Sequence, residues 1–396
     1  MKSCSAILFI LPAIAVSFFS CQSEGKPPAA SAAPQPAAPA KPEVHLYATT
    51  VDKLNLREEP HKNGKVVAQL PEGAFVEGTG EVSANKEEAN LRGVNYLEPY
   101  IKVTAATPEK PAGWAFGGAL KPVYSGARSS APDLAALGQF TAFLKTLDAK
   151  KMDSGKKAWD YVQSNFASAS GPLADAAFVL LEAFLFRMEG EGEFYKMTEQ
   201  INWGETDYEA VSNNTFDPNK YPVTKSLAAN GFDLSTGEGM VFPVVDWNKL
   251  RDFFSPKVTP ATKAFLEQET IENNEQAWDV GGIIISLEKL ADRAAFWEKF
   301  NRDYPYFILH EQTRESERWT RLVLVNGADN TPVYDSETLA INEASRKAWE
   351  YIQQKYPGTE LARVTKEIAD LCAAEGWKRT QKVEDWQTKF AETSYQ

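Results

Sequence analysis

Cysteine and histidine are both scarce, at 3 residues each in a chain of 396. A thiol nucleophile needs a helix start and a histidine to take its proton, yet no histidine follows Cys372, which lies within the apolar helical face Ile368–Ala374. His45, His61 and His310 are too few and too scattered for a zinc amidase centre. Positive charge is also short: 42 Lys and Arg face 54 Asp and Glu, giving a net charge of −12 and no basic cluster. That balance argues against nucleic acid as a partner. No phosphate loop and no dinucleotide fingerprint occurs, so no nucleotide cofactor is expected. After the N-terminus no apolar run approaches the roughly 20 residues that cross a bilayer.

The N-terminus is different. Met1-Lys2 carries a positive charge, and Ala6 to Phe19 is nearly all apolar. The run is too short for a stable spanning helix and has the charge, apolar core and small residue of a secretory signal. Ser20-Cys21 closes it. The stretch Ser17-Phe18-Phe19-Ser20-Cys21 resembles a bacterial lipoprotein signal. That resemblance implies a signal peptide over 1–20, acylation of Cys21, and attachment to the membrane, the outer membrane of a Gram-negative envelope being the expected site. Cleavage would remove Cys4 and leave Cys372 as a lone, buried thiol, so no intramolecular disulfide could form. Residues 21–43 follow as a tether: Lys26 to Pro42 is almost entirely Pro, Ala and Ser, which cannot build a core.

Residues 44–124 change character. Apolar alternation runs through Leu54-Asn55-Leu56-Arg57, Val66 to Leu70, Phe75-Val76-Glu77-Gly78 and Tyr100-Ile101-Lys102-Val103, with turn signals at Asn63-Gly64 and Pro71-Glu72-Gly73. Short strands at that spacing predict a small all-β barrel or sandwich. Val51-Asp52-Lys53-Leu54-Asn55-Leu56-Arg57-Glu58-Glu59-Pro60, Lys65 to Gly73 and Gly113-Trp114-Ala115-Phe116-Gly117-Gly118-Ala119-Leu120 together resemble a bacterial SH3 domain in order and spacing. The resemblance implies an SH3-like barrel that binds peptidoglycan stems or a protein without catalysis. Tyr47, Tyr100, Trp114 and Phe116 are the aromatics placed to line its groove. Glu81 to Leu97 is a polar insertion longer than the usual loop, able to alter or occlude that face.

Residues 125–132 read as a linker, and 133–396 as a mainly α-helical domain. Apolar residues at helical spacing predict helices over 133–147, 171–188, 260–274, 287–303, 309–323, 337–356, 359–376 and 380–391. Gly231 to Pro256 reads as a hairpin or extended crossing, and Leu322-Val323-Leu324-Val325 as strand-like. Lys157-Ala158-Trp159-Asp160-Tyr161-Val162 parallels Lys347-Ala348-Trp349-Glu350-Tyr351-Ile352, with a looser copy from Trp297. The ending Tyr356-Pro357-Gly358-Thr359-Glu360-Leu361-Ala362 resembles TPR-like helical hairpins. The copies keep no fixed period, so an irregular bundle with TPR-like pairs is expected rather than a solenoid.

Nine of the 10 tryptophans follow residue 150; Trp159, Trp297 and Trp349 are expected in the core, Trp203 and Trp247 nearer the surface. Asp329, Asn330 and Asp335 lack the EF-hand spacing and read as turn residues, so no metal is expected. Glu238, Asp246, Glu269, Glu272 and Asp279 lie beside apolar or Gly-containing segments, where two carboxylates could serve a glycosidase. Together these features predict a lipid-anchored, non-enzymatic envelope adaptor that binds peptidoglycan or an envelope protein. A cell-wall glycan hydrolase is the alternative. A binding protein for a small solute is weaker, since paired α/β lobes are missing.

Overall fold

The computed structural model describes residues 41–394, so Cys21, the signal over 1–20 and most of the tether lie outside the described residues. Seven strands open the fold: β1 (Val44–Thr49), β2 (Leu54–Arg57), β3 (Val66–Leu70), β4 (Phe75–Leu91), β5 (Val94–Ala105), β6 (Ala112–Phe116) and β7 (Leu120–Gly126). They form one antiparallel sheet in the order β3-β2-β6-β5-β4-β1-β7. The expected barrel does not close. β3 pairs only with β2 and β7 only with β1, so both remain edges. The reason is visible on each edge: β3 points Val66 and Val67 into solvent, and β7 lies against a helix of the second half.

Thirteen α-helices follow among the described residues: α1 (Leu134–Lys145), α2 (Asp153–Asn165), α3 (Pro172–Gly192), α4 (Tyr195–Thr198), α5 (Glu205–Ser212), α6 (Pro222–Ala229), α7 (Trp247–Phe254), α8 (Pro260–Asn274), α9 (Leu287–Asp303), α10 (His310–Asn326), α11 (Glu343–Lys355), α12 (Glu360–Ala374) and α13 (Gln381–Ser394). Local chemistry sets most boundaries. Asp133, Asp246, Ser286 and Thr359 each cap an N-terminus by accepting from a backbone N–H inside the first turn. Pro172 and Pro260 occupy the first helical position, where a missing N–H costs nothing.

Three expectations need correction. Leu322–Val325 is the last turn of α10 rather than a strand, because its side chains bury against α9 and α13 at helical spacing. The helix expected from 337 starts only at Glu343: Asp335 holds a turn through Thr338, and Tyr334 pairs with Ile341. Residues 195–229, left without structure by periodicity, form three short helices. The segment 231–256 does hold a hairpin, β8 (Phe232–Gly237) paired with β9 (Met240–Val245), before α7.

Two cores meet at the sheet. Leu54, Leu56, Leu70, Val76, Val103 and Ala115 pack among the strands. Val44, Leu46, Ala48, Phe75, Val123 and Tyr124 belong instead to the helical core, with Phe140, Trp159, Phe178 and Trp297. The period-2 alternation of β1 makes this split, sending Val44, Leu46 and Ala48 to the helices and Tyr47 toward the strands. Val44, Leu46, Phe75 and Val123 each contribute about 1.5–3 kcal/mol on full burial and Ala48 less, which holds the sheet to the helices.

Candidate binding surface

The sheet aromatics separate into covered and open. Tyr100 is 5 % exposed and Phe116 7 % exposed, their rings edge-to-face with centroids 5.8 Å apart. The cover is the insertion: the long β4–β5 hairpin contains Glu81 to Leu97, and its Ala89, Leu91 and Tyr96 pack onto the strand core. Tyr96 lies so close to Gly118 that a Cβ there would come within 3.0 Å of it. The hairpin's turn is pinned by Arg92, which pairs with Glu72 at 2.7 Å; Glu72 also takes Arg187 of α3 at 3.0 Å. Tyr47 is half-buried against Gly78, and burial raises its phenol pKa.

Trp114 remains half-exposed on β6, with Arg57 and Lys102 as its strand partners. The Lys102 ammonium stands 5.8 Å from the ring centroid, a cation–π contact. Val67, 42 % exposed, approaches the same strand, since a Cβ on Gly113 would meet its methyl at 3.1 Å. Of the four aromatics, Tyr47 and Trp114 are only half-buried, both packed on the strand core, and Trp114 lies beside a cation.

The acids fall in separate places. Glu238 sits exposed at the β8–β9 turn with its N–H on Asp279 Oδ1 at 3.1 Å, while Asp246 caps α7. Glu269 is brought toward Glu272 and toward Glu182 of α3. Burial, with repulsion from those two, raises its carboxyl to about 8. Glu272 accepts from Trp297 Nε1 at 2.8 Å and Gln268 Nε2 at 2.7 Å, and Glu182, only 2 % exposed, accepts from Lys121 Nζ of β7 at 2.9 Å. Sequence reasoning missed Glu182 and Lys121. The signal was a single carboxylate inside the apolar run Val179-Leu180-Leu181-Glu182-Ala183-Phe184, which demands a partner when buried.

The remaining candidates have structural places. Trp159, Trp297 and Trp349 are buried as expected, but Trp247 is buried too, against Phe178 and Phe265. Trp203 is half-buried and donates to the Thr198 carbonyl at 3.0 Å. Asn330 donates its N–H to the Gly281 carbonyl at 3.0 Å, joining two turns. Cys372 is buried, and desolvation raises its thiol to about 11. Among the described residues no group of three or more His, Cys, Asp or Glu is arranged to hold a metal, and no helix is long and apolar enough to cross a membrane.

Two clefts open on the helical half. One of about 510 Å³ lies between α8, α9 and the start of α12; the other, about 320 Å³, lies where the end of β7 meets α3 and residues 303–308. No family model, no curated protein and no solved structure matches this chain.

Proposed function

We propose that this protein is a lipid-anchored adaptor of the cell envelope, held to the membrane through Cys21 and recognising peptidoglycan or a protein partner through an SH3-like sheet. The observation that carries the reading is the Trp114 face. A half-buried indole with a cation over its ring, in register across Arg57 with the exposed Val66 of the edge strand, offers a shallow platform for an extended ligand. Tyr100 and Phe116 lie on the same face of the sheet two residues further along β5 and β6, and both are buried. The SH3-like motifs lie on the same strands, with Leu54–Arg57 as β2 and Gly113 to Phe116 in β6. The helical half, read here as holding TPR-like pairs in α9–α10 and α11–α12, would dock a second component.

A hydrolase reading has one observation in its favour. Glu269 keeps its proton near neutrality while Glu182 faces the Lys121 ammonium, and two carboxylates in unlike environments are what acid/base cleavage of a glycan requires.

The test is a pull-down of the fragment from Gln22 onward with intact peptidoglycan, alongside an assay for released muropeptides. Retention without release, weakened by Trp114→Ala, supports the adaptor. Release that disappears in Glu269→Gln overturns it in favour of the enzyme. Loss of neither property in either variant, or no retention at all, removes peptidoglycan as the ligand of the Trp114 face.

A further inference from the structure

The outer part of the β4–β5 hairpin is an arm with a bend at its root. From the pair Lys86 with Pro99 outward, the two strands match residue for residue as far as Leu91 and Val94. Arg92 and Gly93, both at positive φ, make the two-residue turn. At the root the register breaks twice. β4 advances four residues while β5 advances two, first from Gly78 with Val103 to Val82 with Ile101, then again to Lys86 with Pro99. Extra residues of this kind interrupt the ladder and bend the strand. Gly80, at φ +87°, sits exposed in the first break, and a Cβ placed on it would meet nothing within 4 Å.

The arm buries its neighbours without being buried itself. No residue from 86 to 99 is fully buried, yet Tyr100 and Phe116 beneath it are. Its inward side consists of Ala89, Leu91 and Tyr96 on the strand core, and of Glu87, which accepts from the Lys62 N–H at 2.9 Å and the Tyr100 hydroxyl at 3.4 Å. The tip is held by a ring of two guanidinium and two carboxylate groups. Arg92 meets Glu72 at 2.7 Å and Glu191 at 3.9 Å, and Arg187 of α3 meets the same two acids at 3.0 and 2.9 Å. All four side chains are between 20 and 29 % exposed, so water screens the ring and each pair holds weakly. An element with few buried contacts belongs to the part of a fold that opens locally.

What the arm covers continues the Trp114 platform. Trp114 and Phe116 point to one face of β6, roughly 7 Å apart along the strand, and Tyr100 stands opposite Phe116 on β5. We propose that the arm over residues 86–99 is a strap: bending at the double register break and clasped at its tip by Arg92, Glu72, Arg187 and Glu191, it lifts to join Phe116 and Tyr100 to Trp114 in one aromatic row. Closed, the row offers a single indole; open, it offers three rings. A ligand that stacks on those rings binds the open state better and shifts the population toward it. The ligand's identity rests on the reading of the Trp114 face given above, whereas the opening does not.

The experiment compares three proteins, each running from Gln22 onward and so containing every described residue: the parent, Arg92→Glu, and the double variant Tyr96→Cys with Gly118→Cys. A Cβ on Gly118 would stand 3.0 Å from the Tyr96 Cβ, close enough for a disulfide that locks the arm once the Phe116 ring shifts aside. Cys372 is buried, and the reduced form of the same variant is the control. An isolated two-stranded hairpin is marginal in water, so opening lets the arm's amides exchange. Hydrogen exchange over residues 86–99 should be about tenfold faster in Arg92→Glu than in the parent, with β6 and α3 unchanged. The dye ANS, which reports exposed apolar surface, should brighten with Arg92→Glu, stay dark with the oxidised double variant and brighten on reduction. Retention on intact peptidoglycan should follow the same order. Exchange and dye signals unmoved by Arg92→Glu would overturn the strap, and equal retention of the oxidised and reduced forms would overturn its control of binding. Opening seen by exchange and dye, without retention of any form, upholds the strap and removes peptidoglycan as the ligand.

Discussion

Removing the Lys121 ammonium should destabilise the whole molecule, because Lys121 is the cation that faces Glu182 between sheet and helices. The pair spans 61 positions of sequence at 2.9 Å, with Glu182 2 % and Lys121 23 % exposed. Lys121→Met keeps the aliphatic stem but leaves a buried carboxylate alone. Breaking a buried pair from one side costs about 3–5 kcal/mol, and the partial exposure of Lys121 argues for the low end, about 3 kcal/mol. In a folded unit of this size 1 kcal/mol moves Tm by about 2 °C, so the melting point should fall by about 6 °C. The double variant Lys121→Met with Glu182→Leu removes both charges and should recover most of the loss. Urea unfolding of the three proteins measures it. A single variant within about 0.5 kcal/mol of the parent would refute the reasoning. So would a double variant as unstable as the single one.

Three further outcomes follow from the same packing. Glu269 has its folded pKa raised from 4.5 to about 8, so the folded state holds a proton that the unfolded chain releases; stability should fall as pH rises from about 4.5 to 8, by at most about 1.4 kcal/mol per unit. Urea midpoints across that window should slope downward in the parent and flatten in Glu269→Gln. Gly231→Ala should be destabilising beyond about 1 kcal/mol, since φ is +89° and the new Cβ would lie 2.1 Å from Trp159 Nε1; thermal melting reads this directly. Arg92→Ala should cost only about 1 kcal/mol, the pair being partly exposed, yet it should raise hydrogen exchange in the β4–β5 turn while leaving α3 protected.

Where a residue's fate depends on its near neighbours, the sequence was a good guide. Pro260 to Asn274 and Leu287 to Asp303 carry apolar spacing and end signals that place α8 and α9 within a residue or two. Trp159, Trp297 and Trp349 were legible as core because each repeats along a helix face. Trp247 misled because it opens a short helix directly after a hairpin, where eight residues are too few for periodicity to declare a face. Leu322–Val325 misled for the opposite reason: a β-branched apolar run reads alike as a strand or as a buried helical turn, and only its neighbours decide.

The sequence by itself determined the division into a strand-forming and a helix-forming half and the helix starts at Asp133, Ser286 and Thr359. These are set within a few residues, by capping groups and by the 2.0 and 3.6 periods of the backbone. Only the tertiary structure decided that the Glu81–Leu97 insertion lies over Tyr100 and Phe116, that Lys121 meets Glu182, and that the sheet stays open. Each of these depends on the approach of segments far apart in sequence. Local propensity carries no record of that approach; packing and charge pairing across the folded chain settle it.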